Sequence, residues 1–422
     1  LGGVKQDRPL TITGGKLVRG SRTEPGSLRL SGGRIEAAGD VAPRDGDHVI
    51  DAKGAWIAPG LVDLGVFAVD KPAFRFGGIT RAALMPDQSP PLDYPARINF
   101  IAKSGKPDLW VHPLAAASLG LRGERLSDMA LMRAAGARGI STGRSWIADT
   151  ALMLNVCEYA AMLGLPVIAH AEDGFLAGSA VASAGEMATR LGLPAALPEA
   201  EALALSRDSR LAQISGAHVH FRQVTTRAGL DVVREAKSDG VRVTAGVTPA
   251  HFLLSDLATA DFRSFARLSP PLRSEDDRHA VRDAIADGTI DCISSGHDPR
   301  GTEEKRLPFA DASPGMAGAQ TLLALTLCLV RDGTIDLAPA LALLTKNPAR
   351  ILGVEAGVLE PGLEADILLF DPEHPWIIDA QSLPGMAGNT PFDGQPTQGR
   401  ALRVFKGGVE LFEEGSREEP LR

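Results

Sequence analysis

Ala58-Pro59-Gly60-Leu61-Val62-Asp63-Leu64-Gly65-Val66-Phe67-Ala68-Val69-Asp70-Lys71-Pro72 decides how this chain is read. Pro59-Gly60 supplies a turn, Leu61 to Phe67 is apolar apart from Asp63, and Asp70-Lys71-Pro72 ends the run in charge. So short an apolar run between two breakers predicts a buried strand, the first of a barrel. Residues at i and i+2 on a strand share a face, so Gly65 and Phe67 point to the same side.

Upstream, from Leu10 to about Ile57, short alternating runs are cut by Gly14-Gly15, Ser31-Gly32-Gly33 and Lys53-Gly54. This pattern predicts a small β domain over residues 1–57. Downstream the rhythm changes to apolar strands separated by longer helical stretches. Candidate strands are Leu61–Phe67, Ile79–Met85, Leu109–Pro113, Gly139–Thr142, Pro166–His170, His218–Gln223, Arg242–Val247 and Ile290–Ser295. Candidate helices include Leu126–Ala135, Ala151–Leu163, Ala182–Leu191, Glu199–Ser215 and Thr226–Asp239. Eight strands with crossover helices predict an α/β fold, a TIM-type (β/α)8 barrel over residues 58–355. A doubly wound sheet is the competing reading, but no Gly-x-Gly-x-x-Gly opens a helix. From residue 356 to 422 short strands return, as in Ala365–Asp371 and Leu402–Gly408. Both chain ends are therefore expected to build one small β-sandwich, with a loose charged tail from Glu413.

The 422 residues carry a formal net charge of −8, which argues against a nucleic-acid partner. Three scattered cysteines, Cys157, Cys292 and Cys328, read as reduced buried thiols. Lys5, Asp7 and Arg8 interrupt the start where a signal peptide would need an apolar core, and no segment reaches the ~18 apolar residues of a bilayer span. A cytoplasmic protein without membrane contact is expected.

Several ordered blocks resemble the dihydroorotases and related cyclic amidohydrolases. Pro59-Gly60-Leu61-Val62-Asp63-Leu64 is similar to the start of their first barrel strand, and Gly77-Gly78-Ile79-Thr80 with Met85-Pro86 to their second. His170-Ala171-Glu172-Asp173, Pro270-Pro271-Leu272-Arg273, Gly296-His297-Asp298-Pro299, Lys346-Asn347-Pro348-Ala349-Arg350 and Asn389-Thr390-Pro391-Phe392 follow in family order. The resemblance implies a metal-bearing barrel flanked by a β-sandwich, closing N-carbamoyl-aspartate to dihydroorotate.

The residues that would perform this chemistry are largely missing. The resemblance places a His pair at Gly65 and Phe67, an Arg for the substrate carboxylate at Val69, and a substrate-facing Asn at Asp87, which reads instead as a solvated turn residue. The metal-bridging Asp or carboxylated Lys falls at Thr142 or Gly143; a shifted alignment to Asp149 would put it at a helix start. His170 retains a ligand type, but one His cannot hold a hydrolytic metal. The next metal His has become Gln223, the Asn before Pro270 is Ser269, and the Asp that is both ligand and proton shuttle is Gly296.

These losses predict a catalytically inactive dihydroorotase-like subunit with no metal. By resemblance, its partner is aspartate carbamoyltransferase in pyrimidine biosynthesis, within a homo- or hetero-oligomer. The alternative is an active dihydroorotase or other cyclic amidohydrolase with a rearranged zinc site drawn from His170, Asp173, His218, His220, His251 and His297. A third reading has Arg222, Arg300 and His297 holding a small anion at the barrel mouth. Phe67 is expected to be buried there, with no metal-sized space beside it.

Overall fold

A computed structural model of the chain describes residues 8–20 and 22–415. Lys5, Asp7 and the tail from 416 onward, on which expectations were placed, lie outside the described residues.

Eight parallel strands follow one another in chain order: Leu61–Val66, Ile79–Leu84, Trp110–Ala116, Gly139–Ser141, Val167–Ala169, Val219–Phe221, Val243–Val247 and Cys292–Ile293. Each overlaps its predicted strand and is hydrogen-bonded to the next. The last and first strands are joined chiefly by a side chain. Asp63, fully buried, accepts the Ser295 backbone N–H at 3.0 Å and the Ser295 hydroxyl, and the Phe67 N–H donates to the His297 carbonyl at 2.8 Å.

The first strand contains a bulge. Its register against the second strand slips between Leu64 and Val66, with Gly65 at φ +121°, a left-handed conformation that glycine adopts freely. The slip changes which residues face inward. Val62 and Leu64 pack in the barrel interior with Ala83, Leu114, Ile168 and Cys292, and beyond the bulge Phe67 joins that group. Leu61 and Val66 pack outward against the helices.

Both chain ends meet in one mixed sheet. Trp56–Pro59 pairs antiparallel with Ile367–Ile377, which continues to Pro396–Lys406 and Val409–Glu413, while Leu10–Arg19 carries the N-terminal strands on the other side. Pro59 still pairs with Ile367, so the terminal sheet runs into the barrel across Gly60. A Cβ on Gly60 would stand 2.4 Å from Thr80. Sheet and barrel are clasped by charge: Arg81, on the second barrel strand, bonds Asp366 at 2.8 Å and Glu364 at 2.6 Å. Lys406 bonds the same two carboxylates, and the Trp110 indole N–H donates to Glu364 at 2.8 Å.

The helices Thr150–Leu163, Glu199–Ser215 and Arg227–Ser238 lie where the sequence puts them. The expected helix Leu126–Ala135 is shorter, Met129–Ala134. Ala182–Leu191 departs from expectation more. Ala182–Ser183 forms a short parallel pair with Ala195–Ala196, and only Glu186–Leu191 is helical. The Val181 and Ala184 N–H groups find the Pro194 and Ala196 carbonyls across the loop, which removes the need for a helical turn there. No helix among the described residues is long and apolar enough to cross a membrane.

Candidate functional site

The C-terminal ends of the barrel strands form the mouth, where loops can present side chains from several strands to one point. Phe67 is 9% exposed there, with the Arg144 guanidinium carbon 3.7 Å and that of Arg222 5.3 Å from its ring centre. A cation over a ring face is attracted by the ring quadrupole, so both arginines are held against Phe67. The burial matches the expectation for Phe67, but the space beside it is not fully closed. A cavity of about 20 Å³ remains, lined by Phe67, Arg144, Arg222, Gln223 and Gly296 among others. That is room for about one water.

Arg222 is at the centre of the mouth. Its backbone N–H donates to the Ala169 carbonyl at 2.9 Å, fixing it at the end of the sixth strand. Its guanidinium donates from Nη2 to His170 Nδ1 at 3.2 Å and from Nη1 to Gln223 Oε1 at 3.0 Å. A guanidinium only donates, so His170 must accept through Nδ1 and carry its proton on Nε2. That nitrogen lies 3.9 Å from Glu172 Oε2. Burial, then Arg222, Arg273 and Arg144, push the His170 pKa down to about 3. Burial and Arg144 push Arg222 itself down to about 10, so it stays charged at neutral pH. A Cβ at Gly65 would lie 3.7 Å from Arg222 Cδ.

The remaining family positions are occupied by packing. Thr142 Oγ1 accepts the His170 backbone N–H at 2.9 Å. Gly143, at φ +75°, leaves space for Asp87: a Cβ there would be 2.7 Å from Asp87 Oδ1. Asp87 is not a solvated turn residue. It is partly buried, accepts the Arg144 backbone N–H at 2.9 Å, and has its pKa raised by burial against the opposing pull of Arg144. Gly296 has φ +59°, and a Cβ there would meet Thr248 Cγ2 at 2.9 Å. Val69 is half-buried against the barrel–helix core, and Ser269 is exposed at the rim.

The alternative candidates do not assemble into a second site. His218 and His220 both bond Thr244 Oγ1 at 3.0 Å, and His220 Nε2 lies 3.8 Å from Cys292 Sγ inside the barrel. Asp173 caps the short helix Gly174–Ala177, and Asp149 caps Thr150–Leu163. His251 donates from Nε2 to the Pro270 carbonyl at 3.2 Å and accepts the Thr248 hydroxyl at Nδ1, 2.8 Å away. His297 is fully buried behind the first strand, with Nδ1 accepting the Ala319 N–H at 3.3 Å and Nε2 3.4 Å from Asp70 Oδ2. Arg300 bonds Asp298 at 3.0 Å and the Pro314 carbonyl at 3.1 Å. The proposed trio of Arg222, Arg300 and His297 is therefore not convergent, because His297 turns away from the mouth.

Arg144 was not among the sequence candidates, yet it connects the mouth. Besides stacking on Phe67, it pairs with Asp298 at 2.7 Å. Its place directly after Gly143, at the end of a barrel strand, is the signal that could have drawn attention to it.

A divalent metal needs about three protein donors, with His or carboxylate oxygens aimed at one point. Among the described residues no group of three or more His, Cys, Asp or Glu is so placed. Of the positions where the resemblance places donors, His170, Gln223 and Phe67 lie against the Arg222 guanidinium, whose charge repels a metal ion. The residues present do not fit the metal that the fold family implies.

The amidohydrolase family model matches residues 92–411. The chain is 37% identical over 416 residues to the dihydroorotase of Pelotomaculum thermopropionicum, covering 94% of this chain and 97% of the relative. It is 34% identical to that of Geobacter sp. strain M21, covering 96% of this chain and 100% of the relative. The solved L-hydantoinase from Arthrobacter aurescens superposes with a TM-score of 0.86 at 21% identity over 96% of both chains, a likeness of fold. With the family model spanning most of the chain and these relatives aligned from end to end, the chain belongs to the amidohydrolase family as a dihydroorotase-like member.

Proposed function

We propose that this chain is a catalytically inactive dihydroorotase-like subunit, retained for its surface, that supports assembly of aspartate carbamoyltransferase in pyrimidine biosynthesis. The observation that carries the inactive reading is Gly296. The resemblance puts the metal-bound proton shuttle there, and this chain has neither a carboxylate nor space for one: φ is +59° and Thr248 is 2.9 Å from a Cβ. The neighbouring carboxylate, Asp298, is committed to Arg144 and Arg300. Loss of a general acid/base alone removes roughly 10²–10⁴ in rate. A fold can outlast its site, since the packing that builds the barrel does not depend on the chemistry at its mouth.

The test has two parts. Purified protein supplied with zinc should give no metal-dependent interconversion of carbamoyl-aspartate and dihydroorotate, and co-expression with aspartate carbamoyltransferase from the same cell should give a co-purifying complex. Zinc-dependent turnover abolished by His170→Ala would overturn the first part. Aspartate carbamoyltransferase that assembles identically with and without this chain would overturn the second.

A further inference from the structure

We infer that Arg222 is a tethered cation that stands in for the metal, its guanidinium holding together the residues at positions where the resemblance places metal ligands. Three positions that the resemblance marks as metal ligands contact this one side chain, and a fourth lies beside it. His170 and Gln223 accept its two terminal nitrogens at 3.2 and 3.0 Å. The Phe67 ring lies 5.3 Å from its central carbon, and Gly65 faces its stem, with a Cβ position 3.7 Å from Cδ.

The substitutions are mutually consistent with this arrangement. A His at 223 could offer a guanidinium one acceptor nitrogen; Gln offers a carbonyl oxygen within reach of its neighbour's side chain. An aromatic at 67 supplies a π face to a cation, where imidazole would supply a lone pair to a metal. Glycine at 65 adopts φ +121° freely, and a Cβ there would already be in van der Waals contact with the arginine stem, so a side chain reaching further would meet it. His170 fits both roles, because a neutral imidazole nitrogen accepts a hydrogen bond as readily as it ligates a metal. The charge is not left uncompensated in the protein interior. Asp87, Asp298 and Glu172 each stabilise the charged form of Arg222. Lysine would not serve equally, because one ammonium lacks the planar fork that reaches two acceptors while stacking on a ring.

The consequence is a barrel mouth whose integrity is independent of metal supply. This inference rests on reading the mouth as a lost metal site, but its test does not use turnover or partner binding. Thermal melting of the full chain should be unchanged by zinc or by a chelator. Arg222→Ala should melt several degrees lower, and low-millimolar methylguanidinium should recover part of that loss, while methylammonium should not and wild type should not respond. Arg222→Met, which keeps the stem without the charge, covers the case in which the alanine variant fails to fold; it should also melt lower, as should Arg222→Lys. Arg222→Met as stable as wild type would overturn the inference, as would methylguanidinium acting equally on variant and wild type. Zinc-dependent dihydroorotase activity of the wild type would instead sink the inactive-subunit reading on which it rests.

Discussion

At position 296 the backbone angle and the nearby Thr248 methyl act together, so restoring the family's carboxylate has a calculable penalty. Gly296→Asp is expected to destabilise the chain by about 3 kcal/mol, from left-handed strain plus overpacking, and to confer no turnover. Urea denaturation with a parallel activity assay checks both. A second residue-level prediction concerns acid. Burial pushes His112, His170 and His220 down to about 3 and His218 and His251 to about 4, from an ordinary 6.5. Each is neutral when folded and takes a proton on unfolding below pH 6.5. Its contribution is therefore complete above that pH and is lost as pH falls toward 4, at up to about 1.4 kcal/mol per pH unit per histidine. Buried carboxylates oppose this, since the folded chain binds their protons first: burial raises Asp208 to about 6 and also raises Asp63, Asp87, Glu201, Asp256 and Glu410. The histidines are therefore read one by one: at pH 5.5 all five should still be neutral in the folded chain by imidazole NMR, and a protonated one would contradict the assignment. That Gly65, Phe67, Gln223 and Gly296, where the resemblance places metal ligands, are neither His nor carboxylate could be read directly from sequence. What packs around them could not, because Arg144 and Arg222 meet Phe67 across strands far apart in the chain and no local pattern encodes that contact.

Among the elements, the seam between the last and first barrel strands depends on one carboxylate. Asp63→Ala would leave the buried Ser295 N–H and hydroxyl without their acceptor, at a cost of about 3 kcal/mol. Hydrogen exchange should accelerate selectively around Cys292–Ser295 and Leu61–Phe67; uniform protection in the variant would show that the seam closes by other means. The strands themselves were legible, since short apolar runs between turn residues leave few alternatives. The bulge at Gly65 was not, because periodicity marks a strand but not a one-residue slip within it. Ala182–Leu191 was misread for a related reason: a small-residue run suits a helix locally, and only the distant Pro194–Ala196 backbone draws Ala182–Ser183 into a ladder.

For the whole molecule, the terminal sheet and the barrel are coupled through Arg81, Lys406, Glu364 and Asp366. Lys406→Met removes one cation from two carboxylates that then share Arg81 alone, and breaking such a buried pair costs about 3 kcal/mol. The variant should lose sheet and barrel together in calorimetry if the clasp is one part of a continuous junction; a separate early transition would mean that it is the main link. That both chain ends join one sheet was readable from the return of short strands after residue 356, whereas the clasp depends on pairings more than 280 residues apart, as between Arg81 and Asp366.

The two arginines against Phe67 also bear on whether this mouth could accept the ligand types that the resemblance places there. A His at 65 would enter at φ +121° against the Arg222 stem, an Asp at 296 would strike Thr248, and a carboxylated side chain at 143 would collide with Asp87. Each added group meets a different neighbour, the Thr248 methyl at 296, the Asp87 carboxylate at 143 and the Arg222 stem at 65, so the three changes do not share one accommodation. No single substitution therefore supplies a metal site here, and a designer would have to change several neighbouring residues in concert.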